Sequence, residues 1–135
     1  MVLEVQVPDY LVSLPMLNEI LENRRGLIEK MVCTRRIKAR ELKAEGVVKL
    51  WWEAPEELTA DEAAVHKAFI RDLAVYSSKR KNTRYNAPIE RENEKISARY
   101  LFMTIGYKGT KYHRQRMILS KYLNGTMNPY YIKQY

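Results

Sequence analysis

Leu17, Ile20, Leu21, Leu27, Ile28 and Met31 recur at the spacing that gathers side chains on one face of an α-helix. A helix with such a stripe is stable only when the stripe is laid against another apolar surface. Ser13 is placed to cap the segment, Pro15 suits its first turn, and Gly46 is a natural stop. As one helix, residues 15–45 would extend about 46 Å. Gly26 and Thr34 are candidate kinks, so two helices in series satisfy the same pattern.

The helical period returns further along the chain. Thr59 opens a second helix with the capping box Thr59-x-x-Glu62, and Val65, Phe69, Leu73 and Tyr76 form its stripe. Pro88 fits the first turn of a third, with Glu90, Glu92 and Glu94 at its positive end. Its apolar residues are Ile89, Ile96, Tyr100 and Met103, and Gly106 closes it. Thr110 begins a fourth, carrying Tyr112, Leu119 and Leu123 and ended by Asn124-Gly125. Residues 47–52 (VVKLWW) read as a buried strand or as a plug for one end of a helical core. In the head, Leu3, Val5 and Val7 alternate with Glu4 and Gln6, an extended arm or edge strand stopped at Pro8. The predicted fold class is all-α. It is a small helical bundle in a single domain over residues 1–135, with one long kinked basic helix and extended arms at residues 1–12 and 126–135.

At 135 residues the chain can bury one modest core, and a hydrophobic share of 46% is that of a globular protein. No apolar run approaches the roughly 20 residues that span a bilayer, so no membrane insertion is expected. The first residues lack a basic stretch followed by an apolar one, which argues against secretion. A single cysteine, Cys33, excludes an internal disulfide and leaves most metal-finger schemes without ligands; a buried apolar role suits it. Three glutamines beside abundant Lys, Arg and Glu lean toward a thermophilic source.

The net charge is +8, from 24 Lys and Arg against 16 Asp and Glu. Glu53, Glu56, Glu57, Asp61 and Glu62 form an acidic block without a basic residue, so the positive charge is concentrated elsewhere. Between Arg24 and Lys43 there are eight basic residues and two acidic ones. On a helical wheel Arg25, Arg36, Arg40 and Lys43 fall within about 60° of one another, a stripe suited to a phosphate backbone. The nucleic-acid candidates are therefore Arg24, Arg25, Arg35, Arg36, Lys38, Arg40 and Lys43, with Lys79, Arg80, Lys81, Arg84 and Arg114 second. Of ten tyrosines, six (Tyr107, Tyr112, Tyr122, Tyr130, Tyr131 and Tyr135) crowd into the last quarter of the chain. Tyr130, Tyr131, Ile132 and Tyr135 in the tail, with Leu3, Val5 and Val7 in the head, are expected to bury against neighbouring subunits.

Signals for chemistry are poor. His66 and His113 stand in no metal-ligand spacing, and no glycine loop could cradle a phosphate, so no catalytic residue, metal or cofactor is assigned. Pro8-Asp9 with Glu41-Leu42-Lys43 loosely mimics a metal-dependent nuclease pattern, but the acids and lysine of that site need adjacent strands, and Glu41 and Lys43 lie in a helical pattern. Residues 118–129 (ILSKYLNGTMNP) resemble the end of a repressor-type helix-turn-helix, although Phe102 stands where that motif expects a small residue.

A short, basic, helical chain with a long kinked basic helix, an extended head and a Tyr-rich tail resembles the coat proteins of rod-shaped and filamentous archaeal viruses. The resemblance implies a structural protein of the virion, without enzymatic activity. It would polymerise along double-stranded DNA, with itself or with a paralogous subunit, and neutralise the backbone without reading bases. The rival expectation is a cellular, DNA-associated module of the cytoplasm, a repressor or a chromatin protein.

Overall fold

The computed structural model describes residues 1–79 and 93–125. The chain divides into two compact units, Met1–Tyr85 and Asn86–Tyr135, where one helical domain is expected from length and pattern. Pro88 with Glu90 and Glu92, the basic residues Arg80, Lys81 and Arg84, and the tail with Tyr130, Tyr131, Ile132 and Tyr135 lie outside the described residues, whereas Glu94 is the first residue of the third predicted helix.

Three strands overturn the all-α expectation. β1 (Val2–Pro8), β2 (Lys38–Leu42) and β3 (Val47–Glu53) form an antiparallel sheet in the order β1-β3-β2. β3 is the bulky VVKLWW stretch, and β-branched and aromatic side chains suit a half-buried pleated surface. The head pairs with it along its whole length, with Leu3 opposite Trp52, Val5 opposite Leu50 and Val7 opposite Val48. Leu3, Val5 and Val7 are 8%, 8% and 0% exposed, so the head is a core strand of its own subunit and not an arm. Alternation predicts the strand; only the presence of β3 gives it a partner.

The long basic helix is the second correction. α1 (Leu14–Asn23) and α2 (Arg25–Met31) break at Arg24, and α2 then stops. Cys33 takes the left-handed conformation at φ +57°, its N–H bonding Lys30 O at 3.3 Å and the next N–H, of Thr34, bonding Glu29 O at 2.9 Å. That pair of bonds is the Schellman stop, which normally advertises itself through glycine. Cysteine conceals it. Lys38–Leu42 can then pair with β3, and Gly46, at φ +68°, closes the single 3-10 turn Lys43–Glu45 of the β2–β3 hairpin rather than a long α-helix. Cys33 is partly exposed rather than buried.

α3 (Ala60–Lys79) begins at the predicted capping box: Glu62 N–H donates to Thr59 Oγ1 at 3.1 Å and Thr59 N–H to Glu62 Oε1 at 3.2 Å. It packs on β1 and α1, burying Val65, Phe69, Ile70 and Leu73 with Leu17 and Ile20. Ser13 does not cap α1 with its side chain; its N–H donates to Ser77 Oγ, 3.0 Å away on α3.

In the second unit α4 (Glu94–Ile105) is capped by Asn93, whose Oδ1 accepts from Ile96 N–H at 3.1 Å. Gly106, at φ +88°, makes the same stop as Cys33, with Tyr107 N–H on Phe102 O at 2.7 Å. The rings of Phe102, Tyr107 and Tyr112 then stack in series, with centroids 6.3 and 4.7 Å apart. The buried face of α4 is Ile96, Leu101 and Phe102; Tyr100 and Met103, expected on the stripe, are exposed. α5 (His113–Leu119) follows, and Asn124 holds the start of α4 by reciprocal bonds with Glu94 at 3.1 and 3.0 Å.

Candidate nucleic-acid interface

The single basic stripe does not form. Arg25 lies on α2 and is paired with Glu29 at 3.3 Å; Arg35 and Arg36 lie in the connection; Lys38 and Arg40 are on β2; Lys43 is in the hairpin turn. Helical periodicity had placed four of these on one face, and the stop at Cys33 removes the helix that would carry them. Arg24 is 5% exposed, its backbone continuing the ladder between α1 and α2, and it offers no surface charge. Lys79 ends α3, exposed.

The sheet brings together a smaller group instead. Alternation puts Lys38 and Arg40 of β2 on the face opposite the core, with Lys49 and Trp51 of β3. Arg40 stands opposite Lys49, a like-charge pair that is unfavourable unless an anion is near. Glu4 of β1 meets part of that need, with its Oε1 2.9 Å from Lys49 Nζ. The Lys49 hydrogen bond holds the Glu4 carboxyl below the usual range. Lys49 Nζ also lies 5.3 Å from the centre of the Trp51 ring. Neither Lys49 nor Trp51 was singled out as a site residue. The like-charge cross-strand pair becomes visible only with the register.

A half-open cleft of about 650 Å³ lies beside this face, between α1, α2 and the segment entering β2. Trp51, Leu21, Ile28 and Ile37 supply its apolar wall, and Asn18, Glu22, Arg36 and Lys38 bring polar groups to it.

The second unit carries the charge. Residues 1–85 hold fifteen basic and thirteen acidic side chains, whereas residues 86–135 hold nine and three. Arg114 and Met117 of α5 are exposed one turn apart, and Lys108, Lys111, Lys121 and Tyr122 are exposed in the segments flanking it. Arg116 is drawn inward, its Nη1 donating to Gly109 O at 2.9 Å and Tyr107 O at 3.2 Å.

Glu41, which the helical pattern set apart from a nuclease arrangement, is on strand β2, with Lys43 just beyond it and Asp9 just beyond β1. β3 runs between those two strands, so the adjacency that chemistry needs is still lacking. No cluster of acids, His or Cys able to hold a metal is found among the described residues. No helix among them is long and apolar enough to cross a membrane. No protein-family model, curated protein or solved structure matches the chain.

Proposed function

We propose that the chain binds double-stranded DNA through phosphate contacts, without reading bases, as a non-catalytic packaging protein. The observation that carries this reading is the ratio of nine basic to three acidic side chains in the second unit. Exposed Lys111, Arg114 and Lys121 are its contact residues, with Lys38 and Arg40 on the sheet face of the first unit as a secondary group. Charge of this kind supplies nearly all the affinity of sequence-independent binders. The likeness to filamentous-virus coat proteins depends on an all-helical architecture with two free arms. The sheet and the buried head remove that support, so the packaging role rests on charge.

Titration of labelled duplex DNA followed by fluorescence anisotropy tests the proposal. The triple variant K111E/R114E/K121E loses binding while keeping its helical circular-dichroism signal. Wild-type affinity in that variant would sink the assignment. A repressor reading has one observation in its favour, the helix–turn–helix order of α4 and α5 with Met117 exposed beside Arg114. Against it, residues 106–112 separate the helices, a longer connection than the roughly three to four residues of that motif.

A further inference from the structure

The cleft of the first unit has about 650 Å³ of space, within the range of about 300–1,000 Å³ in which proteins hold small ligands. Its charges divide unevenly. Arg25 and Glu29 cancel each other at 3.3 Å, whereas Arg36 and Lys38 are exposed and make no ion pair among the described residues. Two such cations in one cleft fit a doubly charged anion, and the arginine fork suits phosphate in particular. The wall beside them is aromatic. Trp51 is held by Lys49, which Glu4 fixes in turn, so the indole is a preset platform that needs little ordering on binding. Asn18 and Glu22 add an amide and a carboxylate able to accept from an amino group.

We propose that this cleft binds a nucleotide unit. The base lies on the Trp51 face opposite Lys49, the phosphate meets Arg36 and Lys38, and the exocyclic amine of the base donates to Glu22 or Asn18. A free mononucleotide and a nucleotide of a single strand present this same chemistry. A base stacked inside a duplex does not, so the site is separate from the duplex contacts proposed for the second unit and stands without them, sharing only Lys38 with the secondary group on the sheet face.

The test is a titration of the full chain followed by tryptophan fluorescence and calorimetry, with AMP, a single-stranded deoxyadenosine oligonucleotide and ribose 5-phosphate as probes. Trp52 is 1% exposed, so quenching by a ligand reports Trp51. AMP or the oligonucleotide quenches saturably, and ribose 5-phosphate binds far more weakly because it has no base. Binding of AMP assigns the site to free nucleotides, and binding of the oligonucleotide alone assigns it to single strands. Trp51→Ala weakens binding about tenfold while Trp51→Phe keeps most of it, as stacking requires. R36Q/K38Q weakens it by a similar factor with an unchanged circular-dichroism spectrum, and K111E/R114E/K121E leaves it intact. The proposal is overturned if neither nucleotide probe saturates at about millimolar concentration. It also fails if ribose 5-phosphate binds as well as AMP, or if the Trp51→Ala and R36Q/K38Q proteins bind at wild-type strength.

Discussion

His66 sits on the buried side of α3, 1% exposed, with no hydrogen-bond partner for its Nδ1. Burial lowers its pKa below the ordinary 6.5, and Glu62 one turn away opposes that weakly. The native state therefore resists a proton that the unfolded chain accepts. Stability from this residue is whole above 6.5 and falls as the pH drops through 6.5 toward the lower native value. The urea midpoint is expected to be lower at about pH 5.5 than at about pH 7.5, with much of the difference lost in His66→Phe. A flat profile in the wild type would contradict this. Cys33 makes a second residue-scale prediction. A side chain held at φ +57° costs free energy that glycine avoids. Cys33→Gly is expected to raise stability by about 1 kcal/mol in urea unfolding, less the entropy that glycine adds to the unfolded chain.

At the scale of elements, the strands carry the test of what the head does. Val5 and Val7 face Leu50 and Val48 in the core. Truncating either to Ala is expected to cost about 2 kcal/mol, read from the shift of the urea midpoint. A head that served only to bind neighbouring subunits would leave the midpoint of the isolated chain unchanged. The helices show where local signals suffice. Thr59 and Glu62 lie in one turn, so their reciprocal bonds are legible in four residues of sequence and form as predicted. The stop expected at Asn124-Gly125 comes earlier, since α5 ends at Leu119 with Ser120 as its cap, and Asn124 instead bonds Glu94, a residue thirty positions away that no local signal indicates. The stripe assigned to α4 holds only in part. Ile96, Tyr100 and Met103 share a helical face by spacing, and Ile96 is buried as expected, but Tyr100 and Met103 are exposed while Leu101 and Phe102, the latter stacked on Tyr107, are buried in their place.

For the whole molecule, the division of charge is the feature that function turns on. Residues 1–85 nearly balance their acids and bases, and residues 86–135 do not. If Lys111, Arg114 and Lys121 each neutralise one phosphate, the slope of log affinity against log salt shallows by roughly 0.9 for every one replaced by Gln. A slope unchanged in the triple Gln variant would remove those residues from the interface. Competition between unrelated duplexes of equal length is expected to differ by less than about tenfold, because phosphate contacts carry no base information. A preference above roughly a thousandfold would favour a base-reading α5.

Net charge, the absence of a disulfide framework, the capping box of α3 and the alternation of the head are all properties of neighbouring residues or of simple sums, and the sequence alone displays them. The sheet was not of that kind. Lys38–Leu42 keeps a helical pattern of charge and reads as the continuation of α2; what makes it a strand is β3, whose unpaired backbone groups need partners on both edges. The stop at Cys33 was hidden because a left-handed residue is normally announced by glycine, and here the conformation is imposed on a side chain that disfavours it. Once β2 leaves the helix, Arg36 and Lys38 move from an imagined stripe to the rim of a cleft beside Trp51. Tertiary pairing thus decided which cations stand together, because spacing along a chain orders side chains only within an element and says nothing of which elements meet.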